Sequence, residues 1–309
     1  MKTDNKYIYE KNSENTITLL RIYGESPVIT VPSMVDGYTI TEIGPYCFSA
    51  VNKLSDDKKI QDTNEIAGAF VERIILPDTV NKIGDYAFYN CRNLVELVID
   101  EGLTQIGSDV FKNCFKLTRI NVRCGINDMP CLKPILTQIS WNLEVEFEDA
   151  YLFYPEYSEG YDEIGPAHIF KLNISGEGFR MRQCFSNNRF SFAEYDEIFI
   201  QAQAEEPVVN LLKVAGYRLM QPTELSDLPK QKYVEYLKAN DKMITKYLPK
   251  LSEELTECLI REGCLSADCV STLISEASEK GLAEFAVKLM DWKSKYITTR
   301  NNKYDFEDF

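Results

Sequence analysis

The chain has a single histidine, His168, among 309 residues. That scarcity excludes most histidine-dependent acid–base catalysis and most zinc sites. Basic residues are also short: 34 Lys and Arg stand against 48 Asp and Glu, a formal charge of −14, with the excess spread over both halves. Nucleic acid or an anionic membrane as main partner needs a positive footprint, which is missing. No apolar run is long enough to span a bilayer, and the opening MKTDNKYIYEKNSENT lacks the apolar core of an export signal, so the expectation is a cytoplasmic chain. The nine cysteines (Cys47, Cys91, Cys114, Cys124, Cys131, Cys184, Cys258, Cys264, Cys269) are odd in number and contain no C-x-x-C pair. They read as reduced, mostly buried thiols.

Signatures of chemistry are equally sparse. Ser55-Asp56-Asp57-Lys58 fits S-x-x-K, but its partner motifs are absent. The run GEGFRM, starting at Gly176, lacks the third glycine of a dinucleotide fingerprint. Glu144, Glu146 and Glu148 share one strand face and read as a solvated acidic edge, since acid–base work would require burial to drive their pKa values apart. Arg180 and Arg182 share a strand face and read as structural ion-pair partners; His168 reads as a structural histidine. Asn173 opens an N-I-S sequon, meaningful only in a secretory compartment. The expectation is no enzyme, no cofactor and no metal.

What is present is a repeat. RIILPDTVNKIGDYAFYNCRNLVEL (73–97) and ELVIDEGLTQIGSDVFKNCFKLTRI (96–120) superpose with a shift of 23. Ile74 falls on Leu97, Gly84 on Gly107, Phe88 on Phe111, Cys91 on Cys114 and Leu94 on Leu117. The strand part continues with Ile120 on Leu143 and Val122 on Val145. Upstream, ITEIGPYCFSAVNKL carries the same letters, with Phe48 in the place of Phe88, before extra residues at roughly Ser55–Phe70 break the phase. One such unit cannot bury its apolar edge alone; stacked units make a continuous core of parallel strands. The Cys91/Cys114 stack reads as a ladder of small buried residues.

The segments ITEIGPYCF, VNKIGDYAFYNCRNL and LTQIGSDVFKNCFKL resemble BspA-type leucine-rich repeats, also called the Treponema type, over roughly residues 7–147. The resemblance implies a short solenoid, with ITLLRIYGESPVITVPSMVDGYTITEIG as its first rung and N-terminal cap. The fourth rung keeps its strand but loses the coil motif (CGINDMPCLKPILTQ), which suits a terminal cap. Many members of that family are exported; this chain shows no signal, so surface adhesion is implied only if a leader has been removed.

Alternation within the strands assigns faces. Ile74, Leu97, Ile120 and Leu143 point inward, as do Leu76, Ile99, Val122 and Val145. The outward rows are Glu72–Val95–Thr118–Trp141, Arg73–Glu96–Arg119–Asn142 and Ile75–Val98–Asn121–Glu144. The candidate binding face is therefore Glu72, Arg73, Ile75, Glu96, Val98, Thr118, Arg119, Asn121 and Trp141.

After Phe147 the composition changes. Residues 148–190 read as an aromatic, acidic connector with a hairpin around Gly176-Glu177-Gly178. Residues 191–300 read as helical: Ser191 and Glu194 form a capping box, Pro207 suits a first turn, and Gly263 and Gly281 fall where helices end. MITKYLPKLSEELTECLIREG and LISEASEKGLAEFAVKLMD match at a shift of 30, as two hairpins resembling ankyrin-type repeats without their T-P-L-H motif. Residues 301–309 read as a frayed tail.

The fold class expected is thus α+β: a leucine-rich-repeat solenoid over 1–147, the connector, then helical hairpins. The function expected is a non-enzymatic scaffold that binds a protein or peptide. A second reading is a glycan or small-molecule binder using Tyr151, Tyr154, Tyr157 and Tyr161 of the connector.

Overall fold

A computed structural model describes residues 5–60, 63–164 and 169–298. The chain divides into two compact units. The first comprises Met1–Ala150 with Tyr154–Ser191, the second Tyr151–Phe153 with Phe192–Phe309.

The strands of the first unit begin with β1 (Lys6–Lys11), β2 (Thr16–Tyr23), β3 (Val28–Thr30), β4 (Met34–Val35) and β5 (Tyr38–Ile43). The rungs follow as β6 (Arg73–Ile75), β7 (Lys82–Ile83), β8 (Glu96–Ile99), β9 (Gln105–Ile106), β10 (Arg119–Val122) and β11 (Leu143–Glu146). Each 23-residue unit supplies one strand to each of two sheets. One sheet runs β3, β6, β8, β10, β11, all parallel; in the other β2, β5, β7 and β9 are parallel, with β1 antiparallel on β2. The second set was invisible in the sequence, because a two-residue strand such as Lys82–Ile83 is too short to show a period.

The repeated letters have direct physical causes. Phe48, Phe88 and Phe111 are fully buried and stack face to face, with ring centroids 5.3 and 5.7 Å apart. The Cys91 thiol donates to the Phe48 carbonyl at 3.0 Å and the Cys114 thiol to the Phe88 carbonyl at 2.9 Å, so each cysteine satisfies a carbonyl one rung back. Gly107 is glycine because a Cβ there would lie 2.5 Å from the Asp85 backbone nitrogen. Asn90 and Asn113, in the left-handed region at φ 61° and 64°, occupy a position where asparagine is tolerated better than most residues. Their side-chain amides join at 2.8 Å.

The last rung departs from the sequence alignment. Arg119 pairs with Glu144 and Ile120 with Val145, a step of 25, because the helical turn α1 (Leu132–Leu136) lengthens the connection by two residues. An even slip preserves sidedness, so Leu143 and Val145 stay buried. It does change neighbours: Glu144 stands beside Arg119, and Glu146 takes the place beside Asn121.

The connector also differs from expectation. Its hairpin is β13 (Ser158–Ile164) on β14 (Ile169–Ser175), after β12 (Tyr151–Tyr154); the glycines 176 and 178 instead lead into a helical turn, α2 (Gly178–Met181). A second, minimal hairpin joins β15 (Phe185–Ser186) to β16 (Arg189–Phe190). Arg180 and Arg182 therefore lie on a helical turn, not a strand face. Arg180 pairs with Glu177 at 3.0 Å, while Arg182, fully buried, donates to the carbonyls of Pro155, Gly178 and Trp141 at 2.6–2.8 Å. His168 and the tail 301–309 lie outside the described residues.

The second unit is helical: α3 (Phe192–Glu205), α4 (Val208–Met220), α5 (Asp227–Ala239), α6 (Asp241–Ile244), α7 (Glu253–Arg261), α8 (Ala267–Glu279) and α9 (Ala283–Trp292). Helix α3 starts after Ser191, α4 starts after Pro207, and Gly263 and Gly281 follow α7 and α8 at φ 71° and 73°. The 30-residue match does not yield two equal hairpins. Residues 267–292 form α8 and α9, but the matching first helix stops at Ile244, and a short turn holding Pro249 replaces the rest.

Candidate functional site

The outward face of the β6–β8–β10–β11 sheet carries an ion-pair ladder. Arg73 opposes Glu96, Glu96 opposes Arg119, and Arg119 opposes Glu144. Arg73 Nε lies 2.9 Å from Glu96 Oε2 while its Nη2 donates to Oε1 at 3.1 Å; Arg119 reaches Glu144 at 3.6 Å. The acidic edge expected of Glu144 is thus not solvated: that carboxylate is buried under its arginine.

The other candidates divide sharply. Thr118 and Glu72 are exposed, Ile75 and Asn121 are half-buried, and Val98, flanked by Ile75 and Asn121 in the middle strand, is buried and unavailable to a partner. Asn121 donates to Glu146 at 3.3 Å. Trp141 is half-buried; its indole N–H donates to the Leu117 carbonyl at 2.7 Å, and its ring meets Phe115 edge-on at 5.4 Å. It both covers the stack and contributes to the surface. Sequence reasoning missed Phe115, 67% exposed, because its place in the coil motif is held by Arg92 in the previous rung. Val95, just before β8, is 46% exposed.

A second polar cluster went unseen in the sequence because its partners are far apart along the chain. Arg21, buried on β2, donates through Nη1 to the carbonyls of Tyr46, Cys47 and Ser49 at 2.9–3.1 Å, and through Nε and Nη2 to Glu65. Asn52 also donates to Glu65, at 2.6 Å. Burial opposes ionisation of Glu65, but the hydrogen bonds from Arg21 and Asn52 outweigh it and hold the carboxyl below its usual range. The insertion thus supplies a counter-charge for the first rung. An adjoining cleft of about 340 Å³ is lined by Glu10, Arg21, Tyr46, Lys53 and Lys58, with Lys58 paired to Glu10 at 2.9 Å.

In the helical unit, Asp196 and Arg218 form a buried bidentate pair at 2.8 and 2.9 Å. Tyr233 donates to the same carboxylate at 2.7 Å, and Phe192 covers the guanidinium at 4.5 Å. Burial, together with the Asp196 charge, pushes the Tyr233 hydroxyl well above its usual value, so it serves as a fixed donor.

The connector tyrosines occupy different surroundings. Tyr154 is buried, Tyr151 stacks on Tyr217 with centroids 3.9 Å apart, and Tyr157 meets Phe179 edge-on; Tyr161 is 70% exposed. Among the described residues no group of His, Cys, Asp or Glu could hold a metal ion, and no helix is long and apolar enough to cross a membrane. Burial pushes the thiols of Cys47 and Cys124 up to about 12 and that of Cys258 up to about 11, which keeps them protonated.

Comparison with known proteins agrees with the stacked rungs. Residues 62–131 match the model of the BspA type leucine rich repeat region (6 copies). No curated protein matches. Among solved structures, the T. pallidum leucine rich repeat protein is 16% identical, covering 37% of this chain and 68% of its own at a TM-score of 0.24. A leucine rich cell surface protein from Faecalibacterium prausnitzii is 22% identical (48% and 42% covered, TM-score 0.28), and the pneumococcal vaccine antigen PcpA is 18% identical (38% and 36%, TM-score 0.24). The chain thus spans less than half the length of the last two. Residues 62–131 are thus similar to the BspA type leucine rich repeat region, and the resemblance is confined to the stacked rungs.

Proposed function

We propose that the chain is a non-enzymatic scaffold: its repeats, stacked as a short solenoid, bind a protein or peptide on the outward face of the β6–β8–β10–β11 sheet. The observation that carries this reading is the exposed Phe115, edge-on to the half-buried Trp141, on the unit that carries the arginine–glutamate ladder. Exposed aromatics rimmed by charge suit interface cores, and stacked repeats commonly use such faces. The step from fold to binding is an analogy with repeat architectures.

The test is affinity capture from the source cells with the wild type and an Arg73→Ala/Glu96→Ala/Arg119→Ala/Phe115→Ala variant. A partner retained by the first and lost from the second supports the reading. A specific partner held equally by both removes the sheet face from the function.

Location belongs to the same proposal. The cysteines of the structure are free thiols, as a reducing compartment allows. The F. prausnitzii neighbour, however, is a cell surface protein. Fractionation of the source cells separates the cytoplasmic reading from the surface one.

A further inference from the structure

We propose that the chain forms a homodimer by pairing the outer edge of β14 antiparallel with β14 of a second copy, which makes one four-stranded sheet. The inference stands on the connector ribbon and does not depend on the sheet-face reading above.

Strands β13 and β14 pair with each other and, among the described residues, with no other strand. Both faces of this ribbon are open. Ser158, Glu159, Gly160 and Tyr161 in β13 and Lys171, Leu172 and Asn173 in β14 are exposed, and Ile174 is half-buried. A Cβ placed on Gly160 meets nothing within 4 Å. Tyr161 and Leu172, directly opposite in register, are 70% and 44% exposed. Two strands without a covered face are marginally stable in water, and each outer edge offers a row of backbone donors and acceptors to another strand.

The two edges differ in what they repel. β13 carries Glu159, Asp162 and Glu163. Laid antiparallel on a second β13 in full overlap, Glu159 meets Glu163 at both ends, and like charges directly opposite are destabilising. β14 carries one charge, Lys171, and no proline. In full overlap with a second β14, position 169 faces 175 and Leu172 faces Leu172 on the two-fold axis. Lys171 then faces Asn173 of the second copy, so no like charges meet.

This register also satisfies the backbone. Alternate residues of a strand direct their N–H and C=O groups to alternate edges, so β14 already paired with β13 can add a strand only odd on odd and even on even. Full overlap meets that condition. The two-fold axis stands perpendicular to the sheet, which keeps the same face of both ribbons on the same side. Tyr161, Leu172, Leu172 and Tyr161 then form one row across the four strands, where apolar cross-strand pairs stabilise the sheet. Self-complementarity selects a second copy as the occupant, and the acidic edges of β13 close the sheet at four strands.

The test uses the full chain. Sedimentation equilibrium from micromolar to submillimolar concentration is expected to show the mass rising from one chain to two. Leu172→Lys, which sets two lysines opposite each other, should weaken the dimer by about tenfold, whereas Glu159→Lys on β13 should not weaken it. Leu172→Cys under mild oxidation should give a covalent dimer, because opposite residues of antiparallel strands lie about 4.5–5.5 Å apart, within disulfide reach. Glu159→Cys should not. The native thiols are all buried, which leaves the introduced one as the reactive group. The cysteine variant keeps the inference testable if Leu172→Lys does not fold. A wild type that stays a single chain throughout overturns the inference. So does a dimer that Leu172→Lys leaves at full strength, or one cross-linked through Glu159→Cys and not through Leu172→Cys, since each assigns the contact to another surface. Assembly beyond two chains overturns the closed four-stranded sheet.

Discussion

The side-chain amide of Gln138 stands in for a missing rung opposite Val110. Within the stack, coil N–H groups donate to the next rung: Tyr86 to Ser108, Phe88 to Val110, Asn90 to Lys112. Beyond Val110 there is no further coil. Gln138 Oε1 accepts from the Val110 N–H at 2.8 Å, and its Nε2 donates to the Gly107 carbonyl at 2.9 Å. Gln138→Ala should orphan both groups and cost about 1–3 kcal/mol per unsatisfied buried group, read as a lower denaturation midpoint. A midpoint equal to wild type would show that water replaces the amide.

Phe88 and Phe115 make a matched pair for stability. Phe88→Ala removes the middle ring of the stack and should cost about 3–5 kcal/mol. Phe115→Ala, at an exposed site, should stay within about 0.5 kcal/mol. Urea unfolding of the two variants side by side checks the contrast, and comparable losses would place Phe115 in the core.

Gly107→Ala drives a methyl against the Asp85 backbone. Overpacking of that kind costs about 1–3 kcal/mol; the Asp85 carboxylate oxygen at 2.4 Å is one obstacle, but the backbone nitrogen at 2.5 Å is another, so part of the loss should persist when Asp85 is itself changed to Ala. Full recovery in the double variant would assign the clash to the side chain alone.

Acid should act through Glu65. Its folded carboxyl lies below its usual range, so its contribution is present above the unfolded value of about 4.3 and is lost as pH falls through the folded value. Stability curves for wild type and Glu65→Gln should therefore differ at neutral pH and converge in acid. Parallel curves would mean that Arg21 is held by the three carbonyls alone.

In the helical unit, Asp196→Ala leaves Arg218 buried without its counter-charge and should cost about 3–5 kcal/mol. Tyr233→Phe, which removes one hydrogen bond to the same carboxylate, should cost about 0.5–1.5 kcal/mol. Thermal unfolding of both variants tests the ranking, and a reversed order would shift the weight of the cluster onto Tyr233.

The legible part of the molecule was whatever recurs. Phe48, Phe88 and Phe111, or Cys91 and Cys114, announce themselves because the same contact is made in each rung. Helix ends at Gly263 and Gly281 were legible for a related reason, since left-handed backbone favours glycine wherever it occurs. What stayed hidden was made once. The Arg21–Glu65 pair joins residues 44 apart through an insertion without period. The step of 25 from Arg119 to Glu144 depends on how much chain α1 absorbs. At Gly176-Glu177-Gly178 the local turn signal was real, but it belonged to the start of a helical turn. Of the candidate face, the arginine–glutamate rows were readable from alternation; Phe115 was not, because a coil position has no alternation to follow.

The ladder also sets a counting rule for the evolution of this sheet. Arg73, Glu96, Arg119 and Glu144 change sign at every step, so the surface has a period of two rungs although the backbone has a period of one. Duplicating a single 23-residue unit would set two arginines or two glutamates next to each other, while duplicating a pair would keep every neighbour opposite. Growth and loss of rungs by recombination are thus penalised in odd numbers and tolerated in even ones, a parity imposed by side chains on a scaffold whose main chain is indifferent to it.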